Sequence, residues 1–249
     1  MSTSRSTASG GRATQGARAR ARQEVTTAIK DEARRQLAAE GAAKLSLRAV
    51  ARELGMASSA LYRYFPSRDE LLTALIIDAY DSLGEAAETA DAAFRELGEA
   101  AEAGEGPTPA RRWVTVCQAV RAWALEHPHE YALIYGSPVP GYSAPETTVR
   151  AASRVGLLLL AILREAHEDK GVALTPLTPG VRAEARRLAA DLAPDLPPEV
   201  TTALVAAWAQ LYGLVGFELF GQFNKVVEDR AAFFTHAATG LAHGVGLVK

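Results

Sequence analysis

SLRAVARELGMASSALYRYFPSRDEL, residues 46–71, is the stretch that decides the fold. Leu47, Val50, Ala51 and Leu54 fall at i, i+3, i+4 and i+7, one apolar face at helical period, and predict a short helix over 47–54. Gly55 stops it, because glycine just past a helix end adopts the left-handed conformation that other residues avoid. A second helix is expected from Ala57 to about Phe65. Met56, Leu61, Tyr64 and Phe65 are available to pack back on the first helix, which leaves Ser58, Ser59, Tyr62 and Arg63 facing out. Ala51 lies where the two helices cross most closely, so a larger side chain there would splay them. Pro66 closes the unit. A helix-turn-helix of this kind is built to enter a DNA groove; the alternative is a packed helical hairpin with a solvated face.

The outward residues favour DNA. Ser58 and Ser59 are short donor-acceptors suited to base edges or phosphates, Tyr62 and Tyr64 place hydroxyls at backbone height, and Arg48, Arg63 and Arg68 supply charge. Three strings, AAEG (38–41), KLSLRAVARELGMA (44–57) and above all LYRYFPSRDELL (61–72), carry a family likeness. Over Glu24 to Leu72 the chain resembles the DNA-binding domain of the TetR family of transcriptional regulators. The resemblance implies that Ala57, Ser58 and Ser59 open the recognition helix toward the major groove, and that Tyr62 and Tyr64 contact the backbone. It implies a phosphate clamp at Arg68, where lysine is common, and contacts from Ser46 and Arg48 at the start of the preceding helix. Ser67 joins this DNA-binding set and, with Glu70 three residues on, matches a capping box. Ala57, Ser58 and Ser59 are too small for bidentate base contacts, so base reading is expected to rest on Arg48, Arg63 and DNA shape.

Charge divides with position. Residues 1–70 hold 13 Lys plus Arg against 7 Asp plus Glu, a net of +6, whereas the remainder holds 14 against 22, a net of −8. A basic end on an acidic body docks one face on phosphates and keeps the other off the duplex. Residues 1–22 carry five arginines and no acid and read as a disordered basic tail. The expected organisation is thus tail 1–22, helix-turn-helix domain 23–70, and helical regulatory and dimerisation domain 71–249. The 48% apolar content is that of a globular chain with a core. A single cysteine, Cys117, excludes an intramolecular disulfide and fits a reducing cytoplasm. Apolar runs too short to span a bilayer, the longest at 155–163, predict a cytoplasmic protein with no membrane partner.

The whole chain reads as all-α, a three-helix DNA-binding head followed by a helical bundle. Helices are expected over 67–83, 84–103, 109–126, 129–135, 145–168, 181–192, 198–223 and 228–248. In the last two, Leu204, Trp208, Leu211, Val215 and Leu219 face Phe234, Ala238, Leu241, Val245 and Val248. Ala209, Gly213 and Gly216 form an adjacent small-residue stripe. These stripes predict a homodimer through a four-helix contact, as the resemblance also implies; the alternative is internal core. WAQLYGLVGFELF (208–220) is similar to a family subclass marked by Trp, His and Gly, with Tyr212 in place of the histidine. An apolar and aromatic set, Trp113, Cys117, Val120, Tyr131, Ile134, Tyr135, Leu159 and Phe217, is the candidate pocket for a small hydrophobic or planar effector.

The expected function is a dimeric repressor that binds a palindromic double-stranded DNA operator and is released by that effector. A constitutive architectural DNA-binding dimer is the alternative. Catalysis would have to use Cys117 with His127 or His129, but a thiol in an apolar stripe is inert and His-x-His without a third ligand is a weak metal site. No enzymatic activity, metal or cofactor is therefore expected.

Overall fold

The computed structural model of the chain describes residues 8–99, 108–169, 171–174 and 176–247, with side chains from Gly16 onward except at 98 and 99. Expectations for residues 1–7, for 100–103 and for Val248 lie outside the described residues. Eleven α-helices are described, joined by turns and three single-turn 3-10 segments. The chain forms two compact units: the chain to Ile76 with Pro138–Ala144, and Ile77–Ser137 with Pro145 onward.

The first unit is the head. It holds α1 (Ala8–Glu40), α2 (Leu47–Glu53), α3 (Ser58–Leu61) and the opening turns of α4 (Arg68–Glu99). Ile29, Ala33 and Leu37 of α1 close over Leu47, Val50, Ala51, Leu61, Phe65, Leu71 and Leu72, all buried. The head reaches further than residue 70 and recruits a segment expected in the body, because Tyr142 and Thr73 share a hydroxyl hydrogen bond of 2.8 Å. α1 corrects the disordered tail: residues 8–22 are helical. Ala, Arg and Gln are strong helix formers, and they extend a helix that the head's core has already nucleated.

α4 also differs from expectation. Gly84 does not break it, so one helix of 32 residues replaces two. A Cβ at Gly84 would stand 2.6–2.8 Å from the Arg154 side chain, so glycine is required there by packing. The second unit is built on α5 (Pro109–Glu126), which packs against α8 (Arg154–Asp169), α10 (Pro198–Leu219) and α11 (Arg230–Gly244). α6 (Pro128–Tyr135), the short α7 (Val149–Ala152) and α9 (Arg182–Leu192) complete it. The expected helix over 145–168 is divided at Ser153, whose hydroxyl bonds back to the Val149 carbonyl at 2.7 Å.

Three ionic clamps fix the body. Arg112, buried, makes a bidentate pair with Asp91 at 2.9 Å on both arms and also reaches Glu165. Arg154 holds Glu88 (2.9 and 2.6 Å) and Asp81 (3.0 Å), so two clamps tie α4 to the helices around it. Arg121 forks onto Glu218 of α10 at 2.7 and 2.6 Å and lies over the Phe234 ring.

The stripe expected at a subunit interface is internal core. Leu204, Leu211, Val215, Phe234, Ala238, Leu241 and Val245 are buried within this chain, Leu219 is partly buried, and among the described residues of the named set only Trp208 is exposed. Helical periodicity tells which residues share a face but not which partner covers it, and here the α5 stripe of Trp113, Cys117, Val120 and Ala124 does so. Among the described residues α10 alone is long and apolar enough to cross a bilayer, a consequence of its having apolar residues on both its core and its outer face.

Candidate DNA-binding surface and buried aromatic site

The turn of the head forms by local chemistry. Ser46 caps α2 through its Oγ, which accepts the Ala49 N–H at 3.4 Å. At the other end Gly55 sits at φ +63°. The Met56 N–H donates to the Ala51 carbonyl (2.8 Å) and the Gly55 N–H to the Arg52 carbonyl (3.1 Å), the paired bonds of a Schellman motif. The chain then enters α3. The recognition helix is shorter than expected: α3 ends at Leu61, and i→i+3 bonds from Arg63 to Ala60 (3.3 Å) and from Tyr64 to Leu61 (2.8 Å) tighten the turn beyond it. Pro66 disfavours helical geometry at Phe65, so the ladder winds down before it.

The expected DNA-binding residues separate into two groups. Arg48, Ala57, Ser58, Ser59, Tyr62 and Arg63 are exposed. Ser46, Tyr64, Ser67 and Arg68 hold the head together. Ser67 Oγ accepts the Glu70 N–H at 3.1 Å, one half of the expected capping box. Arg68 is the clear departure from a phosphate clamp. It donates to the carbonyls of Ala42 (2.9 Å), Ala43 (3.2 Å) and Leu45 (3.2 Å), the backbone acceptors around a 3-10 turn at Ala42–Lys44. A guanidinium spreads its N–H donors over three nitrogens, so Nε and Nη2 reach separate carbonyls, whereas the three donors of an ammonium all leave one atom.

Two members of the site were not read from sequence. Arg22 lies with its guanidinium 5.1 Å from the centre of the Tyr64 ring and donates to the Arg63 carbonyl at 3.4 Å. Gln36 accepts the Ser46 N–H at 3.4 Å and steadies the start of α2. Both stand on α1, whose relation to the turn depends on tertiary packing.

In the body, the effector candidates do not form one site. Trp113, Cys117, Val120 and Leu159 are fully buried core, and burial pushes the Cys117 thiol up to about 12, where it is neither nucleophile nor redox sensor. Phe217 is 54% exposed, edge-on to Phe223, and belongs to the outer face of α10. Tyr131 and Tyr135 instead join an aromatic cluster with Tyr80, Trp208 and Tyr212. Tyr135 stacks on Tyr212 at 4.0 Å, with Tyr131 at 5.2 Å and Tyr80 edge-on at 5.9 Å. Trp208 stands edge-on to Tyr212 at 5.7 Å. Tyr131 donates to the Tyr212 carbonyl at 2.7 Å and Tyr80 to the Ile134 carbonyl at 3.4 Å. Burial raises the pKa of Tyr131, Tyr135 and Tyr212, so all three are neutral donors. Tyr212 Oη is buried beside the Tyr135 hydroxyl with no hydrogen bond of good geometry, and Trp113 Nε1 is buried without one in the core. The i, i+4 pair Tyr131 and Tyr135 was the sequence signal for this cluster; Tyr80 and Tyr212 come from distant helices.

A capped helix, a Schellman turn and a short exposed helix, in a small helical head separate from an all-helical body, define a helix-turn-helix DNA-binding regulator. Residues 29–75 match the profile described as bacterial regulatory proteins, tetR family, and residues 113–241 match the tetracyclin repressor-like C-terminal domain. HTH-type transcriptional regulator Rv1816 of Mycobacterium tuberculosis is 38% identical over 230 residues, covering 84% of this chain and 86% of its own length. The crystal structure of the regulatory protein SCO4313 superposes with a TM-score of 0.69 at 32% identity, covering 90% of this chain and 98% of its own. RolR in complex with resorcinol shares the fold at 15% identity and a TM-score of 0.51, covering 92% of this chain and 95% of its own. The chain belongs to the TetR family of transcriptional regulators. It is a DNA-binding regulator and not an enzyme.

Proposed function

We propose that the protein is a cytoplasmic homodimeric repressor that binds a roughly palindromic operator and leaves it when a small aromatic or hydrophobic effector enters the body. The observation that carries the effector is Tyr212 Oη, buried in the tyrosine cluster without a hydrogen bond of good geometry. Native cores rarely leave such groups unsatisfied, since each costs about 1–3 kcal/mol. Neutral donors among stacked tyrosines suit a planar ligand that offers an oxygen acceptor and an aromatic face. RolR, which holds resorcinol, supports the phenolic class as the first to try.

Dimerisation rests on the face of the last two helices opposite to the core. Ala206, Ala209, Gly213 and Phe217 of α10 and its C-cap Phe220 are exposed at helical spacing, and Phe233, His236, Gly240 and Gly244 of α11 extend the surface. A Cβ at Gly213, Gly240 or Gly244 would meet nothing within 4 Å, so helices of a second copy can approach closely there. Two heads are needed because one four-residue α3 with small side chains reads little sequence by itself.

Release follows from linkage. A ligand that shifts Tyr80 shifts α4, which contributes residues to both units. Operator binding must then weaken ligand binding by the same factor as ligand weakens operator binding. Selection of bound fragments from random DNA should enrich a palindrome, and resorcinol or a related phenol, titrated calorimetrically with and without that fragment, should bind more weakly with it. Failure to enrich any palindrome would remove the dimeric repressor; equal ligand affinity in both titrations would remove the release mechanism.

A further inference from the structure

α1 begins long before the core that it serves. Among its described side chains the first buried is Ile29, yet the helix is described from Ala8, and the side chains of residues 16–24 are all exposed. From Ala8 to Arg22 the helix extends about 21 Å at 1.5 Å per residue. The charged residues in that span are arginines, and the first acid of the chain is Glu24. The extension is anchored at its base beside the recognition turn, where Arg22 meets the Tyr64 ring and the Arg63 carbonyl.

Helical geometry then sorts the arginines. Arg18 lies one turn from Arg22 on the stripe that continues into Ile29 and Ala33, the stripe facing the head. Arg20 lies about 200° round the helix from Arg18. It shares a shallow surface depression with Glu24 and Asp31, whose charges oppose its own. One side of the extension is therefore basic and continuous with Arg63, while the other is mixed.

We propose that Arg18 and Arg22 form a second DNA contact, a helical arm that grips backbone phosphates flanking the bases beneath α3. The partner is duplex DNA because the charged residues of the stripe are all basic, are exposed, and adjoin Arg63 and Tyr64 at the end of the recognition turn. The contact carries charge without base reading, so it raises affinity for all sequences alike.

The test measures binding of the full chain to a long mixed-sequence duplex against salt concentration. Arg18→Gln is expected to flatten the slope of log affinity against log salt by about 0.9, the value for one phosphate contact. Arg18→Gln with Arg22→Gln should flatten it roughly twice as far, and Arg20→Gln should leave it unchanged. Both Arg18 and Arg20 are exposed, and matched melting curves for the two single variants verify that the head is intact. An unchanged slope in Arg18→Gln overturns the arm, as does equal flattening by Arg20→Gln, which would reduce the effect to overall charge. Loss of duplex binding in the parent protein would instead count against the DNA reading of the head.

Discussion

Arg68 Nη2 donates to the carbonyl oxygen of Ala42 at 2.9 Å, and through this bond the start of α4 is stapled to the turn after α1. Its other bonds, to Ala43 and Leu45, make the guanidinium a three-point tie inside the head. Arg68→Ala is therefore expected to destabilise the protein by about 1–3 kcal/mol, because backbone acceptors lose their partner. Arg68→Lys should recover only part of it. Urea unfolding reads the change directly. A variant of unaltered stability whose salt slope drops by one phosphate would restore the clamp role that the sequence suggests.

Arg48 and Arg63 are exposed while Ser46 and Arg68 are committed to the backbone of the head, so we propose that base reading rests on Arg48 and Arg63. Arg48→Ala is expected to relax preference at one operator position at a cost of about 1–3 kcal/mol, while Ser46→Ala lowers helix stability and spares specificity. Fragment selection repeated with each variant distinguishes them. A consensus unchanged by Arg48→Ala and by Arg63→Ala would hand specificity to DNA shape.

The buried pair of Arg112 and Asp91 sets the anchoring of α4. Removing Asp91 leaves the buried Arg112 with only the half-exposed Glu165 as counter-charge, so Asp91→Ala should cost up to about 3–5 kcal/mol of stability. Replacing both by apolar residues of similar volume should cost far less, since the desolvation penalty disappears with the charges. The comparison of single and double variants by denaturation tests the point, and an additive double loss would contradict it.

The exposed clamp responds to acid. Hydrogen bonding to Arg154 holds the Glu88 carboxyl below its ordinary 4.5. A group depressed in the folded state binds its proton first in the unfolded state, so its stabilisation is full above 4.5 and fades as pH falls through the lowered value. Solvent screening keeps the contribution small, because the Glu88 side chain is 44% exposed. Thermal melts of the parent and Glu88→Gln should therefore converge below the ordinary carboxylate value and separate toward neutrality. Parallel curves across that range would show that the clamp adds nothing.

Local features were the ones legible in the sequence. Leu47, Val50, Ala51 and Gly55 carry their own instructions, since an apolar spacing and a glycine specify a helix and its stop within one turn of chain. The bounds of α5 at Pro109 and Glu126 were legible for the same reason. Arg68 was not, because its charge has the same appearance in sequence whether it meets a phosphate or three carbonyls about 25 residues earlier. The tyrosine cluster was half legible: Tyr131 and Tyr135 are one turn apart, but Tyr212 reaches them only through the packing of α10. The helix over residues 8–22 was not legible, because Ala and Arg are equally at home in a disordered leader and in an exposed helix.

The last two helices show the same ambiguity in its most consequential form, between Leu211 and Phe217. Leu211 is buried by its own chain and Phe217 is 54% exposed six residues later, so only the second is open to a partner subunit. On a two-fold interface every substitution acts twice, once from each subunit. Phe217→Asp is expected to weaken the dimer by at least about 2 kcal/mol while leaving helix content intact. Leu211→Asp should unfold the body, since a carboxylate there has no partner in the core. Sedimentation and circular dichroism together separate the outcomes. A Phe217→Asp protein that remains dimeric at the parental concentration dependence would move the interface off this face.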